Sequence, residues 1–245
     1  MAATGVFGPS PDAVVELGRS PIHAAIPGHA LMSSGTYDHG YYRSAYHGDY
    51  DLHNPARKAA FYLSQIAAVQ PNGRLLDVGC AFGNFLAVAG QRYEAAGVDV
   101  SLDAVDVART RLPGVQIGRA SVLELDGAHE FDVVTCFDTL EHVTPLDEAL
   151  TALRGVMAPK GVLAVTVPVF DGLTGPLVRH LDHDLTHVWR QGRNFWWKRL
   201  EDHGLDLVRS IGLWRYLLPW HRYLFFGSRF LYRVSPAVML IGRDG

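Results

Sequence analysis

The sequence has few cysteines, no long apolar run and little net charge, and each shortage excludes a class of protein. Cys80 and Cys136 are the two cysteines among 245 residues, too few for a disulfide framework or a four-cysteine zinc site, and they favour a reducing, cytoplasmic location. No apolar stretch approaches the roughly 18 residues that a membrane-spanning helix needs. The first residues lack a basic segment followed by an apolar one, so no secretory signal is expected. A net charge of -3 gives no general attraction to nucleic acid or acidic membranes.

What the chain does contain is distributed unevenly. Hydrophobic residues make up 48% and charged residues 19%, which is typical of a globular chain that buries a core. All five tryptophans and a local excess of Lys and Arg lie from Trp189 onward, whereas most tyrosines lie between Tyr37 and Tyr62. The two ends are therefore expected to carry specialised surfaces around a plainer central scaffold.

The N-terminal region shows no sustained hydrophobic period. Residues 1–35 are rich in Gly, Ala, Pro and Ser, and residues 36–54 are dense in tyrosine and histidine. We therefore predict an N-terminal arm or lid over 1–54 and a single large domain over 55–245. Tyr42 and Tyr46 are four residues apart and would share a helical face. That face would close over a ligand or pack against the edge of a sheet.

The central region alternates short apolar strands with helical segments. The strands are expected over residues 74–78, 95–100, 115–119, 131–137 and 162–169, and two of the helices are expected to be N-capped by Ser101 and Thr144. This alternation predicts an α/β, Rossmann-like, doubly wound and mostly parallel sheet with helices on both faces. Residues 170–204 are expected to form an acceptor-side insertion. Two late strands, 205–216 and 237–243, are expected to form a C-terminal antiparallel edge hairpin.

A glycine-rich turn follows the first strand, in the segment Asp77-Val78-Gly79-Cys80-Ala81-Phe82-Gly83-Asn84. Glycines there let a ligand approach the backbone, and the free N–H groups that open the next helix favour an anion. Such a turn alone is weak evidence, because several nucleotide-binding families share it and it can also be a simple tight turn.

Three details narrow the ligand. Asp77 ends the strand, where a carboxylate repels a pyrophosphate and attracts a cationic amine. Asp99 ends the next strand, where an acid binds ribose hydroxyls in doubly wound sheets. The spacing is Gly-x-Ala-x-Gly rather than Gly-x-Gly-x-x-Gly. The expected ligand therefore has a ribose, a cationic amine and a carboxylate but no diphosphate, a description that S-adenosylmethionine fits.

Four segments, in order between residues 75 and 169, resemble the motifs of class I S-adenosylmethionine-dependent methyltransferases. They are LLDVGCAFGNFL, GVDVS, FDVVTCFDTLEHV and LRGVMAPKGVLAVTVP. The resemblance implies a methyltransferase that uses S-adenosylmethionine and releases S-adenosylhomocysteine.

The resemblance also implies roles for particular positions. The glycine loop would lie along the methionine part with Asp77 near its amine, Asp99 would bind the ribose, and Asp138 would lie beneath the sulfonium. The acid that usually follows the third strand is replaced by Gly118-Arg119-Ala120-Ser121, so Ser121 or a backbone carbonyl would contact the adenine. The cofactor-binding residues expected in this way are Tyr42, Asp77, Gly79, Cys80, Ala81, Gly83, Asp99, Val100, Ser101, Ala120, Ser121, Phe137, Asp138, Leu140 and His142.

Two histidines are candidate catalytic residues. His142 follows the fourth strand, at the sheet edge where ligands bind, although a purely structural hydrogen-bonding role is the alternative. His187 lies in Asp184-Leu185-Thr186-His187-Val188, which resembles an Asp-Pro-Thr-His-Val segment of relatives that act on small metabolites. His187 is therefore expected to be an acceptor-side base or to orient one.

A metal site was weighed against a polar lid. His180, His183 and His187 would share one face if they lay on a single helix, and Asp182 or Asp184 could add a ligand. A polar lid face explains the same pattern, and no metal is expected.

The expected acceptor is a small organic molecule methylated at oxygen or nitrogen: a secondary metabolite, a sugar-bearing compound or a quinone- or phenol-like compound. Residues 137–140 lack the Asn/Asp-Pro-Pro-aromatic motif of base-amine methylating enzymes, and no cysteine follows a proline, so a nucleic-acid acceptor is disfavoured. The alternatives are a lipid or isoprenoid-phenol acceptor, a non-catalytic S-adenosylmethionine-binding protein, and a nicotinamide-dependent oxidoreductase, which Asp77 disfavours.

The segment over residues 214–233 interleaves Trp, Tyr and Phe with Arg. Core and edge-strand packing, an apolar acceptor pocket or homodimer interface, and contact with a membrane or nucleic acid all fit this pattern. The segment therefore leaves a membrane contact open, although the sequence as a whole does not favour one.

Overall fold

The computed structural model describes residues 40–42, 49–127, 129–218 and 222–245. Most of the expected N-terminal arm, including Tyr46, lies outside the described residues, as does Trp220. Within the arm, residues 40–42 are helical and the Tyr42 side chain is buried. The division of the chain at residue 54 stays a prediction.

Eight strands form one mixed sheet in the order β3-β2-β1-β4-β5-β8-β6-β7. The pairs among β1 to β5 are parallel, and β8, β6 and β7 join antiparallel. The strands are β1 Arg74–Val78, β2 Glu94–Asp99, β3 Gln116–Arg119, β4 Phe131–Phe137, β5 Met157–Pro168, β6 Leu205–Leu218, β7 Arg222–Ser228 and β8 Ala237–Asp244.

Helices cover both faces of this sheet. On one face α2, α3 and α4 pack around Ile66, Leu86 and Val105, and on the other face α5 and α7 pack around Leu153 and Trp196. The predicted Rossmann-like α/β architecture is thereby confirmed. The helices are α1 Tyr50–His53, α2 Ala56–Ala67, α3 Asn84–Ala89, α4 Leu102–Arg111, α5 Leu146–Val156, α6 Gly175–Leu181 and α7 Arg193–Asp202, with 3₁₀ turns at Val122–Glu124, Leu140–His142 and Tyr232–Val234.

The C-terminal strands differ in detail from the predicted hairpin. Strands β6 and β8 are antiparallel neighbours, but β8 lies between β5 and β6, and the outermost strand is β7, which was not predicted. The aromatic segment forms the β6–β7 hairpin, in which Arg215 pairs with Phe225 and Trp214 with Phe226. Phe225 packs on Phe61 of α2 at 5.5 Å between ring centroids. The described part of this segment therefore makes edge-strand packing.

One predicted local feature is wrong: helix α5 begins at Leu146 after Pro145, and Thr144 does not cap it. The alternative in which His180, His183 and His187 share one helix does not apply, because helix α6 ends at Leu181 and the two later histidines lie in the following loop. By contrast, the Ser101 hydroxyl accepts a hydrogen bond from Ala104 N at 3.2 Å and caps α4 as predicted.

The parallel register places the ends of β1, β2 and β4 at one edge of the sheet. Asp77 pairs with Thr135 across β1 and β4, and Asp99 ends β2 one residue beyond the Val78–Val98 pair. The chain leaves β1 toward β2 and β3 and then returns to β4 on the other side, which creates the crevice in which doubly wound sheets bind ligands. Among the described residues, no helix has both the length and the apolar character needed to cross the bilayer.

The core on the α5 face gives a stability prediction. Leu153 is fully buried there, so Leu153→Ala should lower the free energy of unfolding by about 2–5 kcal/mol. Leu102→Ala, at a half-exposed leucine of α4, is the matched control and should change it by less than about 0.5 kcal/mol. Urea unfolding measures both. Equal effects of the two substitutions would contradict the burial described here.

Candidate active site

A large cleft opens at the carboxyl edge of β1, β2 and β4. It has a volume of about 1190 Å³ including its open mouth. The strand ends and the glycine loop form its floor, and residues 41–42 and residues from 50 to 62 cover it from the N-terminal side. A cleft of this size and position fits a nucleoside-containing ligand.

Twelve of the fifteen expected cofactor-binding residues line the cleft. They are Tyr42, Asp77, Gly79, Cys80, Ala81, Asp99, Val100, Ala120, Ser121, Phe137, Asp138 and His142. The remaining three do not line it. Gly83 precedes α3 with a φ of 78° and lies against Leu112. Ser101 is buried as the cap of α4, and the side chain of Leu140 is fully buried in the core.

The glycine loop is folded tightly over the neighbouring strand. Gly79 N and Cys80 N both donate hydrogen bonds to Val98 O, at 2.8 and 3.0 Å. Gly79 has a φ of 78°, and a Cβ atom at this position would lie 2.3 Å from the Thr139 hydroxyl. Because no side chain fits there, the loop backbone can approach both β4 and a ligand.

Asp99 is held rigidly at the end of β2. Its two carboxylate oxygens accept backbone hydrogen bonds from Ala81 N at 2.8 Å and Ser101 N at 2.9 Å. Burial raises the pKa of Asp99, and these N–H donors oppose the rise. A fixed carboxylate whose oxygens have further lone pairs can accept hydrogen bonds from the hydroxyl groups of a ribose.

Asp77 is a buried acid whose surroundings favour its neutral form. The Thr135 hydroxyl donates to it at 2.6 Å, but the carboxyl group is only 3% exposed. Burial, reinforced by repulsion from Asp99, raises the pKa of Asp77 to about 7. A cationic amine from a ligand would stabilise the ionised form, which is what the amine of S-adenosylmethionine would supply. The residues present therefore fit this cofactor.

At the expected adenine end, Ser121 and Glu124 bond to the local backbone. The Ser121 hydroxyl accepts a hydrogen bond from Leu123 N, and the Glu124 carboxylate turns back to accept one from Ser121 N. The two residues form a capping box on the 3₁₀ turn. The Ser121 side chain still lines the cleft.

Sequence reasoning missed most of the cover of the cleft. Lys58 and Tyr62 line it from α2, and Asn54 lines it from just before that helix. The spacing of four residues between Lys58 and Tyr62 places them on one helical face, and this period is the sequence signal that could identify them. Tyr50, which belongs to the tyrosine segment expected to close over the ligand, also lines the cleft, and its ring packs on Phe82 of the glycine loop at 4.6 Å between centroids.

A charged cluster surrounds Asp138 at the end of β4. Thr166 donates a hydrogen bond to Asp138 at 2.7 Å, Arg215 of β6 forms an ion pair with it, and Lys58 Nζ lies 3.7 Å away. Burial alone would raise the pKa of Asp138, but Arg215 and Lys58 lower it to about 2. Asp138 is therefore ionised at neutral pH.

His142 belongs to a chain of hydrogen bonds that crosses the cleft mouth. The Thr186 hydroxyl donates to Asp184 at 2.5 Å and lies 2.8 Å from His142 Nδ1. Since the hydroxyl proton is used on Asp184, we assign Nδ1–H of His142 as the donor to Thr186, which leaves the lone pair on Nε2. Tyr41 donates to the other Asp184 oxygen at 3.1 Å.

His142 is neutral in this setting. Burial, together with His187 nearby, lowers the pKa of His142 to about 4. A neutral imidazole with a fixed tautomer that lines the cleft can accept a proton from a bound group.

His187 lies behind His142 rather than in the cleft. The two rings are 4.7 Å apart between centroids, and His187 Nδ1 lies 2.8 Å from an Asp182 carboxylate oxygen. Potential ligand atoms of Glu141, His142 and His187 come within 4.8 Å of one another, but Nδ1 of His142 is already bonded to Thr186. The structure thus places His187 where it can orient His142.

Comparison with known proteins points in one direction. A family model described as a methyltransferase domain matches residues 50–210. A trans-aconitate 2-methyltransferase of Methylobacterium nodulans is 35% identical over 123 residues, which cover 49% of this chain and 46% of that protein. A ubiquinone biosynthesis O-methyltransferase of Thiobacillus denitrificans is 37% identical over 95 residues, covering 36% of this chain and 41% of that protein. The chain spans about half the length of the curated relatives it matches.

A solved structure shares the fold at lower identity. Magnesium protoporphyrin IX methyltransferase from Synechocystis, solved with bound S-adenosylhomocysteine, superposes with a TM-score of 0.60 at 15% identity, covering 84% of this chain and 97% of that one.

The buried acid of the cleft gives a pH prediction. The folded-state pKa of Asp77 is about 7 against 3.8 in the unfolded chain, so between these values the native state holds a proton that the unfolded state has lost. This group alone should lower the free energy of unfolding by about 1.4 kcal/mol per pH unit as the pH rises from 4 to 7. Asp77→Asn keeps an acceptor for Thr135 and should remove this slope. Urea unfolding without ligand, with Asp106→Asn as an exposed control, measures it. An unchanged slope in Asp77→Asn would refute the assignment.

Proposed function

The chain belongs to the methyltransferase-domain family, and on that premise we propose that it transfers a methyl group from S-adenosylmethionine to an oxygen or nitrogen of a small organic acceptor. The observation that carries the proposal is that one cleft contains two carboxyl groups, Asp99 and Asp77, in different environments. Asp99 is fixed by backbone donors and suits a ribose, while Asp77 is buried with its pKa raised to about 7 and suits an amine. The cofactor supplies a methyl group already activated on a sulfonium.

The chain's own residues bind and orient the two reactants. Asp77, Asp99 and the glycine loop would hold the cofactor, with Phe137 and Asp138 beneath its reactive end. Holding two reactants in line supplies about 7–11 kcal/mol of barrier reduction in favourable cases. Tyr41, Tyr42 and Tyr50 cover the cleft, which limits access of water to the reacting groups.

His142 is the residue best placed to remove a proton from the acceptor. It lines the cleft, burial keeps its imidazole neutral, and Thr186 fixes the orientation of the ring. The acceptor's lone pair would form the new bond to the methyl carbon, and its proton would pass to His142. Asp184 acts through Thr186, and His187 acts through its ring contact, so both are positioning residues.

The names of the relatives give two kinds of acceptor with which the expected class can be compared. Trans-aconitate is a carboxylate and ubiquinone precursors are phenol-like, and both are within the expected class of small acceptors. An isoprenoid-phenol acceptor remains the second candidate, supported by the apolar strip of Trp214 and Phe226 on the β6–β7 hairpin. Cys80 and Cys136 are buried and unpaired, which fits the cytoplasmic location proposed here.

The direct test is transfer of label. The protein is incubated with methyl-labelled S-adenosylmethionine and a cell extract divided into small-molecule, lipid, protein and nucleic-acid fractions, each with and without excess chelator. Label should enter the small-molecule fraction and be insensitive to chelator. Label in lipid would favour the second candidate, and label in protein or nucleic acid would refute the acceptor class. Tight NAD binding without S-adenosylmethionine binding would refute the proposed function.

Substitution of the base gives a kinetic prediction. His142→Asn should lower kcat by about 10²–10⁴-fold, the usual contribution of a general base, while the affinity for S-adenosylhomocysteine changes little. His129→Asn is the control, since His129 lies away from the cleft and asparagine tolerates its φ of 49°. Steady-state kinetics and calorimetric titration provide the two readouts. An unchanged kcat in His142→Asn would exclude this base.

A further inference from the structure

The charges around Asp138 do not balance. Lys58 and Arg215 approach this one carboxylate, so the cluster carries two positive groups against one negative group. The titratable neighbours add no compensating charge. Burial raises the pKa of Tyr62 well above its usual value and that of Tyr223 to about 12, and the pKa of His142 is lowered to about 4. Burial, with the charge of Asp138 nearby, also raises the pKa of Glu141 well above its usual value.

The positive charge of Lys58 is the one that Asp138 neutralises least. Its side chain is 9% exposed and lines the cleft, and Asn54 Oδ1 accepts a hydrogen bond from Nζ at 3.0 Å. Asp138 Oδ2 is 3.7 Å away, and the same oxygen forms the closer ion pair with Arg215, so Lys58 shares this carboxylate with a second cation. Burial lowers the pKa of Lys58 to about 8 even though Asp138 opposes the change. An ammonium in this state gains more from an incoming anion than a solvated lysine does.

Tyr62 adds a second donor beside Lys58. It lies one turn further along the same face of α2, and Nζ of Lys58 is 5.8 Å from its ring centroid. Its side chain is 2% exposed and lines the cleft, and its hydroxyl makes no hydrogen bond of normal geometry among the described residues, although Thr166 lies nearby. A bound acceptor atom would give this buried hydroxyl a well-placed partner.

These donors lie at a different part of the cleft from the ribose-binding and amine-binding acids. Asp99 and Asp77 lie at β2 and β1, whereas Thr166 and Arg215 lie on β5 and β6. Asp138, which directly follows β4, is expected beneath the reactive end of the cofactor and so lies between the two parts. We infer that Lys58 and Tyr62 form a subsite for a carboxylate, or an anion of similar size, on the methyl acceptor. Arg215 is its positioning residue, because it makes the closer ion pair with the Asp138 oxygen that Lys58 also faces and so leaves Lys58 only partly neutralised. The inference rests on the proposed function and narrows its acceptor class.

Small probes test the subsite without knowledge of the acceptor. Benzoate and benzamide have nearly the same shape and differ in charge, and each is titrated into the complex with S-adenosylhomocysteine while binding is followed by NMR. Benzoate should bind at least about 10-fold more tightly than benzamide at pH 7, and this preference should fall above pH 8 as Lys58 loses its proton. Equal binding of the two probes would overturn the inference.

Four variants identify the residues. Lys58→Met should abolish the preference for benzoate, Lys58→Arg should keep it, and Tyr62→Phe should reduce it a few-fold. Arg215→Met should also reduce it, because Asp138 is then free to neutralise Lys58. Retention of the preference in Lys58→Met, or its loss in Lys58→Arg, would overturn the inference. Thermal unfolding confirms that each variant is folded, and Lys58→Arg keeps the test valid if Lys58→Met is not.

The cofactor also carries a carboxylate, so a second arm separates the two sources. Binding of S-adenosylhomocysteine is compared with that of 5′-methylthioadenosine, which lacks the amino-acid part. If Lys58→Met weakens only S-adenosylhomocysteine, Lys58 holds the cofactor and the acceptor subsite is refuted. If neither changes, the acceptor assignment is supported. Failure of the wild-type protein to bind S-adenosylhomocysteine would instead refute the proposed function itself.

Discussion

The parallel register of β1, β2 and β4 is the constraint on which the site depends. It brings Asp77, Asp99 and Asp138 to one edge of the sheet although they are far apart in the sequence. Three carboxylates at neighbouring strand ends would repel one another in a bare site. The fold separates their roles by giving each a different environment: backbone N–H groups for Asp99, a hydroxyl and little solvent for Asp77, and two cations for Asp138.

The surroundings of Asp138 and His142 are formed by elements that are far from β4 in the sequence. Arg215 arrives from β6, Lys58 from α2 and Thr186 from the insertion between β5 and β6. In the proposed function, the scaffold would supply the cofactor side and the added elements would supply the acceptor side. The family then follows from the scaffold residues, while the chemistry of the acceptor would depend on the added elements.

The central scaffold could be predicted from the sequence because its signals are local. The short apolar strand that contains Asp77, the glycine turn after it and the helix capped by Ser101 are each recognised within a few residues. The acceptor side could not be predicted in the same way. The Arg215–Asp138 pair spans 77 positions, and strand β8 inserts between β5 and β6 against chain order. His187 lies in the segment that resembles the motif of the relatives, but the structure places it behind His142. Tertiary packing decides which of two neighbouring rings faces the cleft, and the sequence pattern does not contain that information.

The raised pKa of Asp77 has a consequence for the lifetime of the protein in a cell. A buried acid that lacks its cation makes the empty protein less stable than the occupied one, and ligand binding at 100 times the dissociation constant adds about 2.7 kcal/mol of stability. Substrate and product of the proposed reaction carry the same amine. The fraction of molecules open to proteolysis should therefore depend on the summed concentration of the two compounds and not on their ratio. The abundance of the protein would then respond to the sum of the two concentrations, while its activity would respond to the ratio of S-adenosylmethionine to S-adenosylhomocysteine.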